Sequence, residues 1–136
     1  KEKKMFVVLN PAPANKKILP YLDSVDLIIP NETELELLGG ESELKKFVPN
    51  VIVTLGERGF KVVGKHISKI IPAMKIDVVD TVAAGDTLCG GLVAELADGK
   101  DIVEAAKFGS KAASIACTKR GAQASIPTRA EVESYK

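Results

Sequence analysis

Asp86 ends a segment whose residue types and spacing could support phosphoryl transfer. The segment Asp80–Asp86 reads D-T-V-A-A-G-D and leads into an apolar, helix-like stretch. Its small side chains leave the backbone N–H groups of the first helical turn uncovered, and these groups together with the helix dipole favour an anion, phosphate above all. A carboxylate at this place repels phosphate, but it is suited to taking a proton from a hydroxyl that attacks a phosphoryl group. The residues alone leave a second interpretation open, in which Asp86 is only an acid that stabilises the start of a helix.

Polar and glycine residues also follow the other predicted strands. These breaks are Asn10, Asn31, Thr54–Gly56 and Asp80–Asp86. In open α/β sheets, ligands bind beyond the carboxyl ends of the strands, so these positions are candidates for ligand contacts. Gly56 and Gly59 would let the backbone approach a ligand closely. A plain hairpin turn would use the same two glycines, and that interpretation also stays open.

Apolar runs and their stop signals predict the elements that position these residues. The predicted strands are Met5–Leu9, Leu27–Ile29, Val51–Leu55, Phe60–Val63, Lys69–Ile71 and Ile76–Val79, the last four resembling a hairpin ribbon. The predicted helices are Glu32–Leu38 after a cap at Asn31, a turn within Ser42–Phe47, Asp86–Ala97, a longer helix capped by Asp101, and a last short helix capped by Thr128. Strands that alternate with helices indicate an α/β layered fold with a mainly parallel sheet, here in a single domain spanning residues 1–136.

One face of the helix after Asp101 consists mostly of small residues. This face comprises Ile102, Ala105, Ala106, Gly109, Ala112, Ala113 and Ala116. Small side chains allow the backbones of neighbouring elements to come close, so we expect this helix to pack tightly on a sheet or on another helix.

Composition narrows the classes of partner. The 19 Lys and Arg residues nearly balance the 18 Asp and Glu residues, for a formal net charge of +1, which gives no reason to expect nucleic acid or an anionic membrane as a partner. Cys89 and Cys117 are too few and too far apart for a disulfide framework or a zinc site, and we expect buried thiols. His66, the one histidine, is expected to be exposed in a strand or turn. No apolar run is long enough to span a membrane and no signal peptide is visible, so a cytoplasmic location is expected.

Five ordered blocks resemble the ribokinase (PfkB-type) carbohydrate kinase family. Asp80–Asp86 is similar to the family's signature D-T-x-[GA]-A-G-D. The other four blocks are Asn10–Ala14, Pro30–Glu34, Thr54–Gly59 and Gly121–Pro127. The resemblance runs from about Phe6 to the end of the chain. It implies a layered, Rossmann-like ribokinase fold and an ATP-dependent kinase that phosphorylates the primary hydroxyl of a small sugar, with ribose expected.

The resemblance also implies a role for individual residues. Asp86 matches the catalytic base, and Ala83, Ala84 and Gly85 match the anion hole, whose N–H groups stabilise charge on the transferring phosphoryl group. The matching loop along the ATP phosphates and ribose comprises Thr54, Leu55, Gly56, Glu57, Arg58 and Gly59. Gly85 and Asp86 belong to the implied nucleotide contacts as well.

Further implied contacts concern the nucleotide and two metal ions. Asn31 matches a phosphate contact, Glu34 an acid that acts on Mg²⁺ through water, and Ser110 a position near the adenine or ribose. Asn31 and Glu34 could otherwise be plain helix-start residues. The family is activated by a monovalent cation, usually K⁺, and the matching positions are Asp80, Val82, Ala116, Lys119, Gly121 and Ser125. Oxygen ligands of this kind suit a hard cation.

The sequence departs from the family pattern in three places. The amino-terminal half of the family, which carries the sugar-binding residues and a small β lid, has no counterpart here, and family dimers often form through that lid. The chain is also shorter between Gly40 and Val51, and Thr87–Gly91 has more glycines than usual and no aromatic residue. The sequence therefore leaves two functions open. The first is a sugar kinase, for which a homodimer is expected as one option. The second is a truncated or engineered nucleotide-binding module without sugar turnover. A dinucleotide oxidoreductase is disfavoured, because no G-x-G-x-x-G follows the first strand.

Overall fold

The computed structural model describes residues 5–136. The chain divides into two compact units, Lys1–Ile71 and Pro72–Lys136, and each unit has an apolar cluster of its own. The single domain expected from the sequence stays a prediction. No helix within residues 5–136 combines the length and the apolar composition that crossing a membrane requires.

The first unit is built on a sheet of five strands within the described residues. The strands are β1 Val8–Leu9, β2 Leu27–Ile28, β3 Asn50–Thr54, β4 Phe60–Val63 and β5 Ser68–Ile71, and they lie in that order across the sheet. β1, β2 and β3 are parallel, whereas β3, β4 and β5 are antiparallel. The difference follows from the connections, because short turns can join only antiparallel neighbours and parallel strands need a longer crossover. The sheet is therefore mixed, and the predicted ribbon is its antiparallel part.

Short helical segments form the crossovers of this unit. A 3-10 helix, Lys16–Ser24, joins β1 to β2, and α1 Glu32–Leu37 and α2 Glu41–Leu44 join β2 to β3. This 3-10 helix was not predicted, because it contains Pro20, a residue that interrupts α-helical patterns. The apolar cluster that holds the unit together contains Leu22, Val25, Ile28, Leu38, Leu44, Val48, Val51, Val53 and Val63.

The second unit is helical throughout its described elements. Its helices are α3 Ala84–Ala97, α4 Ile102–Cys117 and α5 Arg129–Ser134, with a 3-10 turn at Gln123–Ser125. Asp101 and Thr128 cap α4 and α5 as predicted: the Asp101 carboxylate accepts from two N–H groups of the first turn of α4, and Thr128 forms a capping box with Glu131. Asp86, predicted to start α3, is in fact its third residue.

The predicted strand Ile76–Val79 is wrong. Residues 72–78 have no regular secondary structure. At the end of this stretch, the N–H groups of Val79 and Asp80 both donate to the carbonyl oxygen of Cys117, at 2.8 and 3.2 Å. The residues of this stretch are typical of a strand. A strand, however, needs a ladder of hydrogen bonds with a neighbouring strand, and these two bonds converge on one acceptor. Val78 and Val79 are exposed accordingly.

The predicted close packing of α4 is confirmed, and its partner is α3. A Cβ atom at Gly109 would lie 2.4 Å from the carbonyl oxygen of Leu88 and 3.0 Å from the nitrogen of Leu92. A Cβ atom at Gly91 would lie 3.0 Å from the Cα atom of Gly109. The two backbones are therefore in contact, and no side chain larger than hydrogen fits between them at Gly109.

We predict opposite effects from two glycine-to-alanine substitutions in this pair of helices. Gly109→Ala should destabilise the chain by about 1–3 kcal/mol or more, because the added methyl group forces α3 and α4 apart. Gly90→Ala is the matched control: a Cβ atom there meets nothing within 4 Å, and alanine in a helix interior should stabilise by roughly 0.5–1 kcal/mol. Urea unfolding of the three proteins measures both effects. Equal stability of Gly109→Ala and the wild type would contradict the described packing.

Candidate functional site

Three of the predicted site residues meet at the carboxyl edge of the sheet in the first unit. Asn31, just after β2, lies beside Thr54 at the end of β3, in a parallel bridge between the two residues. The Thr54 N–H donates to the carbonyl oxygen of Pro30 at 2.9 Å. The Asn31 side-chain oxygen accepts from the Glu34 N–H, and a Glu34 carboxylate oxygen accepts from the Asn31 N–H, both at 2.8 Å. Asn31 and Glu34 are thus a capping box for α1, and the plain helix-start role is present whatever else they bind.

The loop from Thr54 to Gly59 is a tight turn that depends on its glycines. Gly56 and Gly59 have φ angles of 60° and 97°, in the left-handed region that side chains other than hydrogen disfavour. Two backbone bonds close the turn: the Leu55 N–H donates to the Gly59 carbonyl at 2.8 Å, and the Gly59 N–H donates to the Gly56 carbonyl at 3.0 Å. A Cβ atom at Gly56 would meet nothing within 4 Å. The backbone at Gly56 is therefore open to the approach of a ligand.

Arg58 links this loop to the start of α1. Its Nη2 atom lies 2.6 Å from a carboxylate oxygen of Glu32. The hydrogen bond and charge of Glu32 raise the pKa of Arg58 above its ordinary value. Glu32 was not among the predicted site residues, because it lies 26 positions from Arg58 and no local spacing connects the two.

The first turn of α3, in the second unit, offers free hydrogen-bond donors. The helix begins at Ala84, and Ala83 in the N-cap position makes no side-chain cap. The Ala84 N–H donates to the Thr81 carbonyl at 3.1 Å, whereas the N–H groups of Gly85 and Asp86 find no acceptor within residues 5–136. Free first-turn N–H groups at the positive end of a helix dipole form an anion site. Of the N–H groups predicted for the anion hole, that of Ala84 is thus already engaged, and that of Asp86 joins Gly85.

The carboxylate of Asp86 is exposed at the same turn. Within residues 5–136 it has neither a hydrogen-bond partner nor an ion-pair partner. The neighbouring Thr87 is buried, and its Oγ1 atom has no hydrogen-bond partner in the described chain. An exposed carboxylate without a partner is available to accept a proton from a ligand.

Asp80 fastens the turn before α3 to the loop after α4. One of its carboxylate oxygens accepts from the Val82 N–H and the other from the Gly121 N–H, both at 3.0 Å. These bonds, that of Gly121 first, lower the pKa of Asp80 below its ordinary value. The structure therefore brings three of the predicted cation residues together, namely Asp80, Val82 and Gly121.

The remaining predicted residues lie along α4 and the loop that follows it. The Ala116 carbonyl accepts from the Lys119 N–H at 3.0 Å, and the Lys119 ammonium pairs with Glu131 at 3.0 Å. Ser125 is buried and its hydroxyl donates to the Ala122 carbonyl at 2.7 Å. Ser110 is buried in the middle of α4, and no hydrogen bond within residues 5–136 connects it to the start of α3. In the same residues, no group of three or more His, Cys, Asp or Glu side chains is arranged to hold a metal ion.

Known proteins similar to the chain identify its family. A family model described as pfkB family carbohydrate kinase matches residues 1–129. The chain belongs to the pfkB family of carbohydrate kinases. A ribokinase of Haemophilus influenzae is 45% identical in an alignment that covers 92% of this chain and 45% of that protein.

Solved structures of this family have the same fold. A ribokinase from Thermotoga maritima superposes with a TM-score of 0.84 at 40% identity, over 96% of this chain and 48% of that one. Arabidopsis thaliana ribokinase, complexed with ribose and ATP, gives a TM-score of 0.80 at 27% identity, over 95% of this chain and 46% of that one. A nucleoside kinase of Methanocaldococcus jannaschii gives a TM-score of 0.83 at 26% identity, over 94% of this chain and 46% of that one. In sequence, a fructokinase of Zea mays is 35% identical over 88% of this chain and 42% of that protein.

These comparisons confirm both the family resemblance and the layered, Rossmann-like ribokinase fold. This pfkB-family chain spans about half the length of the relatives it matches. The roles of individual residues are not tested by similarity alone, and they stay predictions.

Proposed function

We propose that the chain carries the ATP-binding and phosphoryl-transfer part of a sugar kinase, with D-ribose as the sugar and D-ribose 5-phosphate and ADP as the products. The observation that supports this most strongly is the first turn of α3. Within residues 5–136, two N–H groups without an acceptor, those of Gly85 and Asp86, lie next to an exposed carboxylate without a partner. Family membership gives this combination a chemical reason, because the same turn must stabilise a phosphoryl group and accept a proton.

In the proposed reaction, Asp86 is the general base. Its carboxylate takes the proton of the sugar's primary hydroxyl while the hydroxyl oxygen attacks the γ-phosphorus, and the bond from that phosphorus to ADP breaks. The N–H groups of the first turn of α3 donate to the oxygens of the transferring group, where negative charge accumulates. The N–H groups are fixed by the helix, so they need no rearrangement during the reaction.

The nucleotide contacts are proposed for the glycine loop and the residues around it. They are Asn31, the loop Thr54–Gly59, Gly85, Asp86 and Ser110. The loop supports this role through its open backbone at Gly56. Asn31 supports it through its position at the carboxyl edge of the sheet, next to Thr54.

Two metal ions belong to the proposal. Glu34 would act on Mg²⁺ through water. One of its carboxylate oxygens makes the capping box, and the carboxylate retains capacity for further contacts. A monovalent cation such as K⁺ would be held by oxygens at Asp80, Val82, Ala116, Lys119, Gly121 and Ser125, and the bond from Asp80 to Gly121 already joins the two segments concerned. The monovalent cation would supply positive charge near the anion site.

Fewer observations support ribose as the sugar than support phosphoryl transfer. Relatives named ribokinase are similar over most of the chain, but fructokinases and nucleoside kinases are similar as well. A homodimer and a cytoplasmic location remain predictions. The second candidate function is a nucleotide-binding module without sugar turnover, and it differs from the first only in whether a sugar is phosphorylated.

Asp86→Ala tests the proposed base. Calorimetric titration with ATP and Mg²⁺ should show weak binding to these 136 residues, and a ribose phosphorylation assay should show little or no turnover. A chimera that adds the part of the Haemophilus influenzae ribokinase that the chain does not match should phosphorylate ribose. In that chimera Asp86→Ala should lower the rate by about 10²–10⁴-fold, the usual effect of losing a general base.

Three outcomes of this experiment are decisive. Undiminished turnover by the Asp86→Ala chimera would rule out the base. Rapid ribose phosphorylation by the 136 residues alone would contradict the expectation that sugar binding needs further residues. A chimera that folds and binds ATP but phosphorylates no sugar would favour the second candidate function.

Gly85→Ala separates an anion site from an ordinary helix start. A Cβ atom at Gly85 meets nothing within 4 Å in the described residues, so alanine should leave the fold intact. ATP binding should nevertheless weaken, because the methyl group is added at a residue whose own N–H is one of the proposed phosphate donors. Gly90→Ala is the matched control, since it adds the same methyl group to the same helix with nothing within 4 Å. If both variants bind ATP equally well, the phosphates do not contact the start of α3.

A further inference from the structure

The ion pair between Arg58 and Glu32 joins the glycine loop to the first turn of α1. The two residues lie on separate elements of the first unit, and their side chains approach to 2.6 Å. Both side chains are more than half exposed, at 62% and 56%. The pair therefore forms at the surface, on the loop that the proposed function assigns to the nucleotide.

This pair contributes little to the stability of the fold. Exposed ion pairs gain little Coulomb energy in water and lose side-chain entropy when they form. Other contacts already fix both ends: the capping box of Asn31 and Glu34 holds the start of α1, and backbone bonds close the loop. What the pair does determine is the position of the Arg58 guanidinium and how far its positive charge is offset by the neighbouring Glu32 carboxylate.

Arg58 retains most of its binding capacity. A guanidinium has five N–H donors, and within residues 5–136 only the Nη2 atom of Arg58 forms a side-chain hydrogen bond, to Glu32. Planar guanidinium groups bind phosphate through two parallel N–H donors. Glu32 opposes such binding in two ways. Its carboxylate occupies one of the guanidinium donors, and its negative charge would repel a phosphate brought to the same guanidinium.

We propose that Glu32 competes with the nucleotide's phosphates for Arg58, so that nucleotide binding transfers the Arg58 guanidinium from the carboxylate to a phosphate. The inference rests on the proposed function and adds a residue to it: Glu32 sets the affinity for phosphorylated ligands without contacting them. The exchange involves no covalent step. It makes the affinity depend on the number of phosphates and on ionic strength, because both competing interactions lie at the surface.

Glu32→Gln tests the competition directly. Titration with ADP and with ATP, each with Mg²⁺, should show binding about two- to five-fold tighter than in the wild type, which corresponds to the strength of an exposed ion pair. Adenosine, which has no phosphate, should bind equally well to both proteins. Glu36→Gln is the matched control, because it removes one exposed carboxylate from the same helix and breaks no ion pair of the described residues. Thermal unfolding should show that both variants fold.

Arg58→Ala completes the test. It should weaken ADP and ATP binding, and in the Arg58→Ala background Glu32→Gln should have no further effect. Tighter binding by Glu32→Gln that persists without Arg58 would show a general charge effect and overturn the exchange. Unchanged or weaker binding by Glu32→Gln, with intact ATP binding by the wild type, would overturn the inference and leave the proposed function standing. A wild-type chain that binds neither ADP nor ATP would overturn both.

Discussion

Helix α3 begins without a side-chain cap, and the proposed chemistry depends on that. Asn31, Asp101 and Thr128 cap α1, α4 and α5 by accepting first-turn N–H groups, whereas Ala83 stands at the corresponding position of α3 and accepts none through its side chain. Replacing a good cap with alanine typically costs about 0.5–2 kcal/mol. Helix α3 lacks this stabilisation. Its first turn also presents the exposed carboxylate of Asp86, which has no partner in the described residues.

An uncapped helix start must be held by other contacts. The Asp80 carboxylate bonds to Val82 before α3 and to Gly121 after α4. Further along, the contact of Gly109 with the backbone of Leu88 and Leu92 fixes α3 against α4. Near the other end of α3, Arg129 pairs with the buried Glu95 and with Asp98, and it lies 5.1 Å from the centre of the Phe108 ring. The first turn of α3 can therefore keep its donors free because the rest of the helix is firmly placed.

Much of this arrangement could be predicted from local sequence. The caps at Asp101 and Thr128, the strand at Phe60–Val63 and the small-residue face of α4 all depend on residues close together in the chain, and all four are observed. The predictions that failed or were absent depend on distant partners. Ile76–Val79 has strand-like residues but no ladder to join, and the bonds from Arg58 to Glu32 and from Asp80 to Gly121 connect positions 26 and 41 residues apart. Asp86 was predicted beside uncovered first-turn N–H groups, and within residues 5–136 it does lie beside those of Gly85 and its own backbone; its role as a base, rather than as an acid that only supports the helix dipole, stays a prediction.

The central claim is that the start of α3 binds the phosphates of a nucleotide. Amide resonances in a ¹⁵N-labelled sample, followed during titration with ATP and Mg²⁺ and separately with adenosine, test this most directly. We predict that ATP shifts the amide resonances of Gly85 and Asp86 far more than adenosine does. The resonances of Val103 and Glu104, whose N–H groups are capped by Asp101, should shift little with either ligand. If saturating ATP shifts the resonances of the capped amides of α4 and leaves those of Gly85 and Asp86 unchanged, the start of α3 does not bind the phosphates.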